Sequence, residues 1–286
     1  MGCGQGCGRR RAETVVAPAH LVTAHPVALP GVVAVSARSA RAFARHSHDQ
    51  FGIGVVEAGA QSSASGRGQV WGQAGDIITV NPGEVHDGVP VDAVGRRWRM
   101  LYLDPAVMAR LTGHPGEFAH PVLTNPALAA ALRRLFDALT TTGLTLGAEG
   151  DLVTLRAALA DSPARPAMAA PVAHAVQRLA EDPATPVGLA DLAADAGLSR
   201  FHFLRSFAKA TGQTPHAFQM QARLHLARRL IAGGQGEREL GLAEVAATAG
   251  FADQSHLTRL FQRSYGMAPG AYARNFVQDR GRGGRR

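Results

Sequence analysis

The sequence predicts a multidomain protein: an N-terminal all-β barrel with helices following it, then a C-terminal all-α domain with two helix-turn-helix units. Three observations predict this. Short apolar runs punctuated by turn residues fill residues 43–103, apolar residues recur every three or four positions from about residue 126, and one helix–turn–helix pattern occurs twice in the last third. A chain of 286 residues has room for two such domains.

Composition fits a soluble globular protein, with 46% apolar and 18% charged residues and a mean hydropathy of −0.03. No run reaches the roughly 18 uninterrupted apolar residues of a spanning helix, so no membrane partner is expected. The opening MGCGQGCGRRRAE has basic residues without an apolar stretch behind them, unlike a secretory signal. Cys3 and Cys7 are the only cysteines, and two thiols in a Gly-rich tail are expected to be a reduced, frayed end. The expected compartment is the cytoplasm.

The net charge of +8 and pI near 10.8 point to a polyanionic partner. Arginine supplies nearly all of it, since Lys209 is the only lysine. The excess is also localised. Residues 1–171 carry 15 Arg against 13 acids, whereas residues 172–286 carry 14 Arg and one Lys against 9 acids.

Taken in order, residues 1–19 read as a disordered tail and residues 20–160 as the first domain. Its strands are the runs 51–56, 76–80 and 98–103, separated by Gly59, Gly66, Gly68, Gly72, Gly75 and Pro82-Gly83 at strand-and-turn spacing. Residues 128–139 and 151–159 read as amphipathic helices, and three prolines in residues 161–171 mark a linker. Residues 172–277 form the helical domain, and residues 278–286 a basic tail.

Within the helical domain, LADLAADAGLS at 189–199 is echoed by LAEVAATAGFAD at 242–253. Gly197 and Gly250 supply the left-handed turn, and Ser199 and Asp253 cap the helix that follows. In these second helices, Phe203 and Phe207, and Leu257, Leu260 and Phe261, form the core stripes. That leaves Arg200, Phe201, Leu204 and Arg205 exposed on one helix, and Gln254, Ser255, Thr258 and Arg259 on the other. Arg, Gln, Ser and Thr are suited to base edges and phosphates in a major groove, so DNA is the expected partner. Pro215 opens a connecting helix that stops at Gly233-Gly234.

The tandem arrangement, with Gly250-Phe251, Gln254-Ser255-His256, Arg259, Phe261, Gly266 and Pro269, resembles the DNA-binding domain of AraC/XylS-type transcription regulators over residues 170–277. The resemblance implies two units, joined by one long helix, reading adjacent major-groove segments through the same eight residues. Phe201 and Leu204 depart from the polar residues expected there, so the first helix reads thymine methyls or contributes little.

His46-Ser47-His48, Gly75-Asp76 and Asn81-Pro82-Gly83-Glu84-Val85-His86 resemble the cupin-like sensor barrel of the same regulators over residues 40–103. Four residues, His46, His48, Glu84 and His86, are then the expected effector contacts, although Glu84 could equally cap a turn. Three histidines on neighbouring strands could also hold a divalent ion. A catalytic cupin adds a Glu four or five residues after its second His, where this chain has Gly52 and Ile53, and Pro90 stands where its Asn would. The expectation is therefore no metal and no cofactor. Trp71, Trp98 and Tyr102 are expected in the barrel core.

The reading as a whole is a transcription regulator, not an enzyme, that answers a small-molecule effector. It is expected to work with RNA polymerase and to be a homodimer, with the helices of 126–160 as the dimer contact, and the sequence leaves activator and repressor both open. The alternatives are a metal-dependent cupin enzyme with an appended DNA-binding domain, and a purely architectural DNA-binding protein.

Overall fold

The computed structural model describes residues 20–27, 29–65, 68–112, 116–142, 168–233 and 240–277. The expected helix at 151–159, most of the expected linker and both tails lie outside the described residues. The strands in chain order are β1 (Leu21–His25), β2 (Val32–Ser39), β3 (Phe43–His46), β4 (Phe51–Ala58), β5 (Ala60–Ser65), β6 (Gly68–Gln73), β7 (Ile77–Val80), β8 (His86–Pro90), β9 (Arg96–Leu103) and β10 (Val122–Leu123). They form two antiparallel sheets, ordered β1-β2-β9-β4-β7-β10 and β3-β8-β5-β6.

The sheet begins earlier than residue 43. β2 is buried along most of its length, so it shows no polar–apolar alternation and reads as a featureless Val/Ala run. Trp71 is a second departure. It stands on the edge strand β6, 64% exposed and outside the core. Trp98 and Tyr102 on β9 line an internal cavity.

Behind the first sheet lie α1 (Pro105–Thr112) and α2 (Pro126–Asp137). Asn125 caps α2 by accepting the Leu128 N–H at 3.0 Å. Leu128, Leu132, Leu135 and Phe136 then pack on Ile53, Ile77 and Leu101.

The helical domain runs α3 (Ala170–Glu181), α4 (Leu189–Asp195), α5 (Arg200–Thr211), α6 (Pro215–Gly233), α7 (Leu242–Thr248), α8 (Gln254–Tyr265) and α9 (Pro269–Val277). Helix α3 takes the last residues of the expected linker, because Pro171 suits a first helical turn. The first unit closes on itself around Val172, Leu179, Leu192, Phe203 and Phe207. The second does not. Its core of Leu224, Val245, Leu257 and Phe261 is continuous with Ala24, Val33 and Val35 of β1 and β2. Apolar burial therefore seats the second helix-turn-helix unit directly on the barrel.

Candidate functional site

Local sequence rules place α5 and α8, the second helices of the two units. Gly197 and Gly250 take φ of +63° and +80°, which turns the chain sharply between helices. Ser199 Oγ then accepts the His202 N–H, and Asp253 Oδ1 accepts the His256 N–H at 2.7 Å. Phe203 and Phe207 are fully buried, as are Leu257 and Phe261, and this sets the rotation of α5 and α8. Arg200, Phe201 and Arg205 come out exposed, with Leu204 half-buried beside them; Gln254, Ser255 and Arg259 are exposed, with Thr258 half-buried. Phe201 shows 69% of its surface.

Helix α6 joins the two units and fixes their relation. Arg223, buried in its middle, donates from Nε to Pro183 O at 2.7 Å, from Nη2 to Ala184 O at 3.0 Å and from Nη1 to Gly250 O at 2.6 Å. One guanidinium thereby ties the loop before α4 to the turn before α8. Sequence reasoning missed Arg223, because its partners are backbone carbonyls.

The second site is a cavity of about 120 Å³ inside the barrel. His46, His86 and Arg96 reach it from the strands, His48 from the segment after β3, and Arg228, Tyr265 and Tyr272 from the helical domain, so both domains wall it. A water molecule needs roughly 10–15 Å³ on this scale, so the space suits a ligand of about ten non-hydrogen atoms.

The three histidines form one cluster, with ring centroids 4.8 Å apart for His46–His48, 4.5 Å for His46–His86 and 5.2 Å for His48–His86. His46 Nδ1 lies 2.7 Å from Ala44 O, and His86 Nδ1 lies 3.0 Å from Glu84 O. Burial, reinforced by mutual repulsion, pushes the His46 imidazole down to about 3 and the His48 imidazole well below its usual value. Burial also lowers His86. All three are neutral at physiological pH. Glu84 reaches the cavity wall, but its Oε2 accepts from Asn81 N at 3.2 Å and Asn81 Nδ2 at 3.1 Å. Its carboxylate closes the 81–84 turn.

Arg96 is only 3% exposed. It donates to Gln61 Oε1 at 2.5 Å, to Gly88 O at 3.0 Å and to Arg41 O at 3.2 Å, and lies over the Phe43 and Trp98 rings. All these partners are neutral, and burial lowers its pKa to about 10, which still leaves a cation. The Tyr265 hydroxyl is buried on the same cavity with no hydrogen-bond partner among the described residues. Neither residue stood out in the sequence.

Residues 29–157 match the family model for the AraC-like ligand binding domain, and residues 192–275 match a helix-turn-helix domain model. The chain is 29% identical over 228 residues to YbfI of Bacillus subtilis strain 168, an uncharacterized HTH-type transcriptional regulator, covering 75% of this chain and 81% of that protein. The chain belongs to the AraC family of transcription regulators. The transcriptional activator NphR of a Rhodococcus species is 38% identical over 92 residues, which span 32% of this chain and 26% of NphR. The fold matches ToxT from Vibrio cholerae with a TM-score of 0.55 at 10% identity, covering 86% of this chain and 99% of ToxT. This AraC-family regulator is thus a DNA-binding transcription regulator with a ligand-binding N-terminal domain. No helix among its described residues is long and apolar enough to cross a membrane.

Proposed function

We propose that this regulator reads its operator through Arg200, Phe201, Leu204, Arg205, Gln254, Ser255, Thr258 and Arg259, and responds to a small effector bearing an acidic group. The observation that carries the effector reading is Arg96, a buried cation whose described partners are all neutral, on a cavity lined by both domains. An uncompensated buried charge favours a ligand of opposite sign. Tyr265 offers a hydroxyl in the same space, and His46, His48 and His86 complete the polar wall. Because the cavity wall includes the second helix-turn-helix unit, an occupant contacts both domains and has different affinities for their separated and joined arrangements, which is the physical requirement for regulation.

In this reading residues 20–160 sense and residues 172–277 bind DNA. The protein works in the cytoplasm as a homodimer through the region 126–160, acts with RNA polymerase, and catalyses no reaction. The test is a thermal-shift screen of small carboxylic acids against neutral sugars and alcohols, followed by promoter binding. An acid that stabilises the wild type, changes its operator affinity and loses both effects in Arg96→Met supports the reading. A neutral ligand that acts equally on wild type and Arg96→Met overturns it.

A further inference from the structure

His46 and His86 are direct cross-strand partners on β3 and β8, and His48 lies at the turn just beyond β3. One ring nitrogen of each of the three lies within 4.8 Å of the others. A carbonyl oxygen only accepts, so Nδ1 of His46 facing Ala44 O and Nδ1 of His86 facing Glu84 O each carry the proton. Their Nε2 atoms are left as bare lone pairs. A second-nitrogen bond to a backbone carbonyl is also how metal-bound imidazoles are oriented and made more basic. We propose that His46, His48 and His86 form a divalent transition-metal site, best suited to Zn²⁺, whose loading stiffens the 46–49 segment against α6.

The fit rests on the donor set. Three neutral imidazoles match Zn²⁺, and a protein that supplies three ligands leaves a fourth position open. With Gly52 and Ile53 where a catalytic barrel has its glutamate, no carboxylate joins the three imidazoles in the cluster among the described residues. The site is then an anchor for an oxygen donor from the cavity.

The link to DNA binding is the residue between two of the ligands. Ser47 O accepts from Gln221 Nε2 at 2.8 Å and lies 3.0 Å from His225 Nε2, both on the helix that joins the two reading units. Whatever orders His46 and His48 therefore orders the attachment of α6. This inference does not depend on the acidic effector proposed above.

The experiment uses untagged full-length protein. Expected are one Zn²⁺ per chain by elemental analysis, removal by a chelator with a fall in melting temperature, and recovery on reloading. Co²⁺ in its place should give a visible absorption band of a four- or five-coordinate ion. His46→Gln and His86→Gln should weaken Zn²⁺ binding by at least about 10–100-fold, whereas His174→Gln on the exposed face of α3 should not. Should either variant fail to fold, the Co²⁺ spectrum and the chelation cycle on the wild type still decide. Operator affinity of the wild type should shift between stripped and loaded protein. Wild type that holds no Zn²⁺ or Co²⁺ at micromolar concentration sinks the site, and a loaded site with unchanged operator affinity sinks the coupling.

Discussion

Arg228, 3% exposed in the middle of α6, donates from Nε and Nη2 to the two carboxylate oxygens of Asp49 at 3.1 Å each. Nη2 also reaches Asp104 Oδ1 at 3.2 Å, and Arg229 meets Asp49 at 2.9 Å. Burial alone would raise the Asp49 carboxyl, but His225 and the two arginines overcome this and hold it below the usual range. The pair joins the segment after His48 to the helix that carries both reading units.

Removing Arg228 leaves Asp49 with Arg229 and Asp104 with the neutral Gln50 amide. Arg228→Met should cost about 3–5 kcal/mol of stability, the usual cost of breaking a buried pair, and should uncouple effector from operator affinity. Urea unfolding and operator titration with and without ligand check both parts. A variant as stable as wild type and equally responsive would show the bridge to be incidental.

The stability of the regulator should fall as pH drops below about 6.5. Burial lowers His225, so the native state refuses a proton that the unfolded chain accepts near its ordinary value of 6.5. The buried histidines of the cavity act in the same direction, down to about 3 for His46. Urea midpoints measured in chelator at pH 7.5, 6.0 and 5.0 should decline in that order, and His225→Gln should decline less. A flat profile over this range would contradict neutral, buried imidazoles.

The two turn glycines should respond differently to substitution. At Gly197 an added Cβ meets open space, so Gly197→Ala carries only the left-handed strain, about 1–2 kcal/mol. At Gly250 the Cβ would also stand 2.7 Å from the Ala184 backbone. Gly250→Ala should therefore cost clearly more, and Gly250→Asn should not rescue it, whereas Gly197→Asn should largely be tolerated. Equal costs at the two positions would rule out the close approach to Ala184.

Arg205 and Arg259 hold equivalent exposed places on α5 and α8. An arginine bidentate to guanine contributes about 1–3 kcal/mol of base discrimination. Arg205→Ala should relax specificity in one half of the operator and Arg259→Ala in the other, as read by competition with single-base variants. A uniform loss across all variants would assign both to the phosphate backbone.

The reading helices were legible because their rules are local. Caps at Ser199 and Asp253, turns at Gly197 and Gly250, and the Phe203–Phe207 stripe all lie within a few residues of what they position. Strand β2 was not legible as a strand, since burial along most of its length erases the alternation that betrays one. The Asp49–Arg228 bridge spans 179 residues of chain, and nothing near either residue announces the other. The histidines were visible as a set. That two of them spend Nδ1 on backbone carbonyls is a matter of ring orientation, which spacing does not encode.

The cavity wall contributed by Arg228, Tyr265 and Tyr272 has a kinetic consequence. A molecule held partly by the second reading unit loses that part of its wall when the unit lifts from β1 and β2, through an apolar contact with Ala24, Val33 and Val35. Residence time would then lengthen with the strength of the domain contact as well as with the ligand's own contacts, as lid opening slows release in many sites. A regulator built this way holds its state for some time after the free ligand is gone, giving the promoter a short memory of the signal.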